Sequence, residues 1–110
     1  MTKIKKDLNT YDINVCFDDF FKEHCFEGLH IAVTVSAMRE LHKLAKSMAD
    51  VVEVLEFGKD APRKRKKGTI EHWFTKGNKT TNVVIVKNYH EVLQHECWLL
   101  IHVGEFTKKQ

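Results

Sequence analysis

The sequence has little of what marks several common classes of protein. Only one proline and five glycines occur among its 110 residues, and such a composition argues against long disordered segments. The three cysteines are odd in number and irregularly spaced, so we expect reduced thiols in a cytoplasmic protein and no disulfide framework. No apolar run approaches the ~20 residues of a membrane span, and the lysine-rich start is too polar for a signal peptide. The chain is therefore expected to be one cytoplasmic domain that does not associate with membranes.

Motifs for metal or nucleophilic chemistry are also scarce. His24 is adjacent to Cys25, and His95 lies two residues before Cys97, but neither pair has the spacing of a zinc site. Buried or incidental side chains are the simpler interpretation of these residues. No glycine-flanked serine marks a nucleophile elbow. We therefore expect neither a metal nor another cofactor.

Positive charge is concentrated in one stretch, residues 59–68, called the basic loop below. It holds six basic residues and one acidic residue, a net charge of +5, whereas the whole chain carries only +3. Adjacent cations repel one another unless water or an anion lies close by. Pro62 and Gly68 bracket the basic run, and neither is favoured inside a helix or a central strand. The basic loop is therefore either a solvated connector or a site for a polyanion.

The N-terminal quarter of the chain predicts an accessory segment. Residues 1–14 are polar, and the spacing of apolar residues after them predicts a short helix over residues 16–27 that ends at Gly28. We therefore divide the single globular chain into a polar segment with a short helix, residues 1–28, and a main domain, residues 29–107.

The main domain is predicted to begin with one strand and two helices. β-Branched residues over 29–35 predict the strand. Ser36 is the expected N-cap of an amphipathic helix with Leu41 in its apolar stripe. Asp50 is the expected cap of a second helix that ends at Gly58.

Three β-rich runs follow the basic loop and predict an antiparallel meander. They cover residues 69–75, 82–89 and 95–103, and Gly77 with Asn78 supplies a hairpin turn. A strand followed by two helices and a three-stranded meander makes an α+β fold, with the helices on one face of the sheet.

Strict alternation along each strand predicts which residues share a face of that sheet. Assuming tight hairpins, the more uniformly apolar face, expected to pack against the helices, carries Phe74, Val83, Ile85, Leu99 and Ile101. The opposite, partly open face carries Glu71, Trp73, Val84, Trp98, Leu100 and His102. A slip of one residue in register would exchange these two sets.

The order of strand, helices, basic segment and meander resembles the RelE-like toxins and the wider barnase/colicin/RelE ribonuclease superfamily. Residues 33–39 and 50–58 are similar to a small family of unknown function within that group, in which an acidic residue precedes a valine–leucine run and a glycine. The resemblance covers residues 29–107. It implies a RelE-like fold, RNA as the ligand, either free or on the ribosome, and an antitoxin-like protein as a partner. Ser36 stands where that family usually has a histidine, and a hydroxyl cannot shuttle protons near neutral pH.

Metal-independent RNA cleavage suits the residue types that the chain offers. The substrate supplies the 2′-OH nucleophile, so cations that hold a phosphate and one proton-transfer pair suffice. Glu71 and His102 are the candidate catalytic base and acid. The candidate RNA-binding residues are Arg63, Lys64, Arg65, Lys66, Lys67, Trp73 and Trp98. The arginines suit bidentate phosphate contacts, and the tryptophans suit stacking on unpaired bases.

Each of these residues also has a purely structural interpretation. Glu71 can pair with a loop lysine, His102 can be an ordinary strand residue, and the tryptophans can be buried under the N-terminal segment or in a dimer interface. The chain is thus a candidate metal-independent endoribonuclease that binds RNA through the basic loop. Two alternatives stay open: a non-catalytic nucleic-acid- or partner-binding module of the same fold, and a homo-oligomeric structural protein.

Overall fold

Two short strands and two helices precede the basic loop, and long strands follow it. The computed structural model describes residues 24–63, 65–90 and 94–107. Their elements are β1 (Cys25–Phe26), β2 (Leu29–Val33), α1 (Val35–Leu44), α2 (Met48–Phe57), β3 (Lys59–Asp60), β4 (Thr69–Lys76), β5 (Lys79–His90) and β6 (His95–Thr107). Within this part of the chain the fold is α+β, as predicted, with two helices and one six-stranded mixed sheet. Neither helix has the length and apolar character needed to cross a membrane.

The six strands lie in the order β1-β2-β6-β5-β4-β3. β4, β5 and β6 pair antiparallel as the predicted meander. Gly77, at a φ of 62°, is the first of two residues in the turn between β4 and β5, and positive φ at that position is typical of a type II′ hairpin turn. β2 lies beside β6 in parallel, so the strand before the helices is joined to the last strand of the meander.

The helix predicted over residues 16–27 is wrong at its C-terminal end, and residues 1–23 lie outside the described part of the chain. The last residues of that span form β1, which pairs antiparallel with β2. Glu27 and Gly28 form the turn between the two strands, with φ values of 51° and 78°. Phe26 is buried against Trp98, with ring centroids 6.0 Å apart. A packing contact distant in sequence therefore overrides the local helical spacing.

The first helix begins two residues earlier than predicted. Its N-cap is Thr34, whose hydroxyl accepts a hydrogen bond from the Ala37 backbone N–H at 3.1 Å. The same hydroxyl donates to the Leu100 carbonyl at 2.9 Å. Ser36 therefore lies in the first turn of α1 and is exposed. Thr34 takes the cap position because one hydroxyl both caps α1 and ties it to β6.

The second helix also begins earlier than predicted, with Ser47 as its N-cap. The Asp50 carboxylate accepts from the Ser47 backbone N–H at 2.8 Å, and the Asp50 N–H donates to the Ser47 hydroxyl at 3.4 Å. Asp50 is thus the third helical residue of a capping box and not the cap itself. α1 ends just before, because Ala45 adopts the left-handed conformation at a φ of 56°.

These caps give a direct stability test. We expect Ser47→Ala to lower the free energy of unfolding by about 0.5–2 kcal/mol, because the first turn of α2 loses its hydroxyl acceptor. The matched change Ser36→Ala, on the exposed first turn of α1, should change it by less than about 0.5 kcal/mol. Urea denaturation of both variants measures the difference. A larger loss at Ser36 than at Ser47 would contradict the observed caps.

Buried side chains of the helices and strands form one core cluster. Both helices contribute to it through Ala37, Leu41, Met48, Val51, Val54 and Leu55. The strands contribute Phe26, Ile31, Val33, Val83, Ile85, Trp98, Leu100 and Val103. The core thus joins the helices to the strands of the meander.

A β-bulge in β6 explains where the predicted faces are wrong. Val84 pairs with His102, but the next residue, Ile85, pairs with Leu100, so Ile101 is an extra residue. Because a bulge adds one residue to a strand, side chains before it lie on the opposite face from the one that strict alternation, counted from beyond the bulge, assigns to them. The predicted faces of β4 and β5 agree with the register, and so does His102 beyond the bulge. Before the bulge the β6 assignments are wrong, and Leu100 shares a face with Ile85.

Candidate functional site

The start of the basic loop is attached to the edge of the sheet. β3 pairs antiparallel with the middle of β4, and the Ala61 backbone N–H continues the pairing by donating to the Glu71 carbonyl at 3.0 Å. Pro62 then turns the chain away from β4, since it has no N–H to continue the pairing. This attachment brings the first arginine of the loop to the Glu71 side chain. Lys64, a predicted RNA-binding residue, lies outside the described part of the chain.

Glu71 is the polar centre of this region, because its carboxylate accepts five hydrogen bonds. Arg63 donates from Nε and Nη2, each at 3.1 Å, and Arg65 donates from Nε at 3.0 Å. Trp73 Nε1 and Asn82 Nδ2 donate at 2.9 and 3.2 Å. The carboxylate is buried and therefore offers little surface for contact with a substrate.

These contacts decide the protonation state of Glu71. Burial by itself raises the pKa of the carboxyl group, but the hydrogen bonds from Arg63, Trp73, Arg65 and Asn82 outweigh it and lower the pKa from 4.5 to about 2. Glu71 is therefore ionised at neutral pH, yet a carboxylate with so low a pKa is a weak base. Its geometry supports an anchor for the loop arginines and does not support the predicted role of general base.

The arginines keep hydrogen-bonding capacity after they have bound Glu71. Each guanidinium has five N–H donors; Arg63 uses Nε and Nη2, and Arg65 uses only Nε. The Arg63 side chain is 61% exposed and that of Arg65 is 35% exposed. A cavity of about 400 Å³ lies beside them and is lined by Asp60, Ala61, Pro62, Arg63, Arg65, Thr69, Ile70 and Glu71. Both arginines thus line a cavity large enough for a phosphate group, and each keeps N–H donors that no other described residue uses.

Two lysines of the loop extend this positive surface. Lys66 and Lys67 are exposed, and neither forms an ion pair with a side chain in the described residues. Their charges add to those of Arg63 and Arg65, whereas Glu71 supplies a single opposing charge. The described part of the loop therefore keeps a net positive charge.

His102 is held by a carboxylate that the sequence analysis did not single out. Glu40 Oε2 lies 3.1 Å from His102 Nδ1, and Glu40 Oε1 accepts from the Val103 backbone N–H at 2.8 Å. Because a carboxylate only accepts, Nδ1 is the donor, and Nε2 is left for another partner. The His102 side chain is 45% exposed. Glu40 lies one helical turn from Ala37, at the border of the apolar stripe of α1, and that position was the available signal.

A glycine leaves space for the other nitrogen of this histidine. A Cβ placed on Gly104 would lie 3.1 Å from His102 Nε2 and 2.6 Å from Asn82 Oδ1. His102 Nε2 and Asn82 Oδ1 thus lie in space that the side chain of any other residue at position 104 would fill. Since Asn82 also donates to Glu71, a row of polar groups crosses the sheet from Glu71 through Asn82 to His102. Asn82 is a second member of the site that was not predicted from the sequence, and its signal was a polar residue directly before the apolar run of residues 83–86.

Glu71 and His102 share a sheet face, but they do not form a pair. Both lie opposite Val84, one on each neighbouring strand, which separates their backbones by two strand spacings, ~10 Å. Each has its own hydrogen-bonding partner, Arg63 for Glu71 and Glu40 for His102. The structure therefore places the loop arginines around Glu71 and leaves His102 with Glu40.

The two candidate tryptophans differ in their surroundings. Trp73 is only partly buried, and its ring packs edge-to-face on Phe106 with centroids 5.0 Å apart. Trp98 is 3% exposed and donates from Nε1 to the Phe26 carbonyl at 3.0 Å. The predicted position of Trp98 on an open face is wrong, because the bulge turns it into the core. Phe106, 39% exposed, is the aromatic neighbour of Trp73 that the sequence analysis did not identify.

No metal site is found in the described part of the chain, where no three His, Cys, Asp or Glu side chains are grouped closely enough to hold an ion. Cys97 is buried, and burial together with the charge of Glu96 raises the pKa of its thiol to about 11. This thiol therefore stays protonated at neutral pH, the form that is a poor metal ligand.

Comparison with known proteins gives no match to a protein-family model, to a curated protein or to a solved structure.

Proposed function

We propose that this chain is a RelE-like protein, with its helices on one face of the sheet, that binds RNA through the basic loop. The observation that carries the proposal is the pair of loop arginines held by one buried carboxylate, with N–H donors left over for a second anion. A solvated connector needs no such anchor. Phosphate is, with carboxylate, an anion whose oxygens match the donor geometry of a guanidinium.

Anchoring favours binding because it orders the arginines before the ligand arrives. A free arginine side chain loses rotamer entropy when it binds, and this loss weakens association. Glu71 restricts Arg63 and Arg65 in the unbound protein. The carboxylate offsets one positive charge, but Lys66 and Lys67 lie in the same loop and keep it cationic.

An aromatic pair favours RNA with unpaired bases over an isolated phosphate. Trp73 donates to Glu71 and packs against the partly exposed Phe106, so aromatic surface lies next to the arginine anchor. Unpaired bases stack on such side chains, which contributes ~1–3 kcal/mol per base. A single-stranded RNA can thus place a phosphate at the arginines and a base near the aromatic pair.

Charge removal in the basic loop tests this proposal. We expect the double substitution Lys66→Gln and Lys67→Gln to weaken binding of a labelled single-stranded RNA. With fewer phosphate contacts, fewer counterions are released from the RNA on binding. The slope of log affinity against log salt concentration should become shallower by ~0.7 per contact. Fluorescence anisotropy at several salt concentrations measures both quantities.

The matched control removes two charges elsewhere, with Arg39→Gln and Lys43→Gln on α1. This pair should leave the slope nearly unchanged if the contacts are made by the loop. Equal slopes in the wild type and the loop variant would contradict the proposal and would identify the loop as a connector.

A second candidate function, metal-independent RNA cleavage, is favoured by the Glu40–His102 contact. A carboxylate on Nδ1 orients the imidazole and leaves Nε2 for proton transfer. In the proposed step Nε2 takes the proton of a 2′-OH, whose oxygen attacks the adjacent phosphorus and forms a 2′,3′-cyclic phosphate. The bond from phosphorus to the 5′ oxygen breaks, and that oxygen takes a proton from the imidazolium. Glu71 serves here as the anchor of the arginines, in place of the base predicted from the sequence.

The alternatives of a non-catalytic module and a homo-oligomer are separable by experiment. RNA binding without cleavage identifies the first, and a dimeric mass in size-exclusion chromatography that Phe106→Ser abolishes identifies the second. The cytoplasmic location and an antitoxin-like partner stay part of the proposal. The free thiols of Cys25 and Cys97 suit a reducing compartment.

A further inference from the structure

An open groove lies along α1, on a part of the surface that the proposed RNA site does not use. Its volume is about 650 Å³, and its apolar floor is the partly exposed Met38, beneath which lie Leu41 and Met48, only 5% and 4% exposed. Methionine side chains adapt their shape readily, so such a floor accommodates apolar side chains of different outline. The groove is therefore suited to an apolar ligand surface.

Cations border this apolar floor. Arg39, Lys43 and Lys46 line the groove, and Lys46 pairs with Glu105 at 3.3 Å. Arg39 and Lys43 are exposed and form no ion pair with the described residues. They lie four residues apart on α1, so their charges follow one another along the helix at a spacing of one turn, ~5–6 Å. The groove thus combines an apolar floor with two unpaired charges along its edge.

We propose that this groove binds an amphipathic helix of a partner protein that carries acidic residues one turn apart beside an apolar stripe. A helix lying along α1 buries its apolar side chains around the partly exposed Met38 and aligns its acids with Arg39 and Lys43. This is helix-in-groove recognition, in which anchors recur at i, i+3, i+4 and i+7.

Charge and shape together favour this occupant over others. A single-headed anionic amphiphile neutralises only one of two charges that are a helical turn apart. A nucleic acid offers phosphates at the rim but no apolar chain for the methionine floor. A helix with paired acids satisfies both features of the groove.

Three synthetic helical peptides provide the test. They share the same leucines at i, i+3, i+4 and i+7, and differ only in the two flanking positions, which carry Glu, Gln or Lys. We expect the Glu peptide to bind the wild-type protein most tightly by fluorescence anisotropy. The double charge reversal Arg39→Glu and Lys43→Glu should weaken its binding about tenfold and strengthen binding of the Lys peptide.

The matched control reverses two charges in the basic loop, with Lys66→Glu and Lys67→Glu, and should leave peptide affinity within about twofold. Several results would overturn the proposal: equal affinity for the Glu and Lys peptides, no effect of the α1 reversal, or a larger effect of the loop reversal. Competition by decanoate that abolishes peptide binding at equal strength would assign the groove to a small amphiphile. A wild-type dimer that the α1 reversal dissociates would assign it to a second copy of the chain.

Discussion

Replacing Glu71 with alanine should lower the free energy of unfolding by about 2–5 kcal/mol. The change removes the shared acceptor of four side chains. Arg63 and Arg65 can turn to solvent because both are partly exposed. The Trp73 and Asn82 donors are more enclosed, so the loss of their acceptor accounts for most of the effect. Chemical denaturation at pH 7 measures it.

Substituting one arginine that binds Glu71 distinguishes the contribution of the arginine contacts to stability from that of the enclosed Trp73 and Asn82 donors. Arg63→Ala should cost less than about 1 kcal/mol, since this side chain is mostly exposed and Arg65 still binds the carboxylate. Comparable losses for Glu71→Ala and Arg63→Ala would show that the arginine contact, and not the enclosed donors, holds the cluster together. A loss below about 1 kcal/mol for Glu71→Ala would contradict its role as an anchor.

The same carboxylate gives stability a pH dependence of defined sign. Its pKa is about 2 in the folded protein, below the ordinary 4.5, so the unfolded chain binds the proton more tightly. The contribution of the ionised Glu71 carboxylate to the free energy of unfolding is complete above about pH 4.5. It is lost as the pH falls towards 2. It amounts to about 2–3 kcal/mol after allowance for solvent around the arginines. Glu71→Gln should therefore make stability flatter over this interval than in the wild type.

Regular patterns in the sequence predicted the fold class and the meander. Three apolar runs marked β4, β5 and β6, and Gly77 marked the turn between the first two, because alternation and turn chemistry are local properties. The bulge at Ile101 was not predictable from alternation, since it depends on how β5 and β6 meet. That one residue moved Trp98 from the predicted open face into the core.

The candidate site was predicted in its residue types and only partly in its contacts. The charge of the basic loop is visible in composition. Glu71 was predicted as a catalytic base, with a loop lysine as its partner in the alternative, structural interpretation. That the partners are Arg63 and Arg65 follows from the pairing of β3 with β4, which no local signal gives. Glu40 was missed for a similar reason, because it meets His102 only after α1 has packed beside β6. Contacts between distant elements are set by packing, and sequence periodicity does not report them.

Changing His102 to Gln should lower the rate of RNA cleavage by ~10²–10⁴-fold while RNA affinity is largely kept. Glutamine has a similar reach and stays polar, but it cannot take and return a proton. Because the proposed step needs no metal, wild-type cleavage should persist in EDTA and leave 2′,3′-cyclic phosphate ends. Single-turnover assays at saturating RNA measure the chemical step apart from binding.

The double variant Lys66→Gln and Lys67→Gln is the matched control for this assay. It should lose affinity yet keep nearly the full single-turnover rate once RNA is saturating, because its lysines hold phosphate and do not transfer protons. Equal rates for the wild type and His102→Gln would assign the chemistry to another group. Wild-type protein that binds RNA but never cuts it, free or on ribosomes, would remove the catalytic proposal and leave the anchored arginines as a binding site alone.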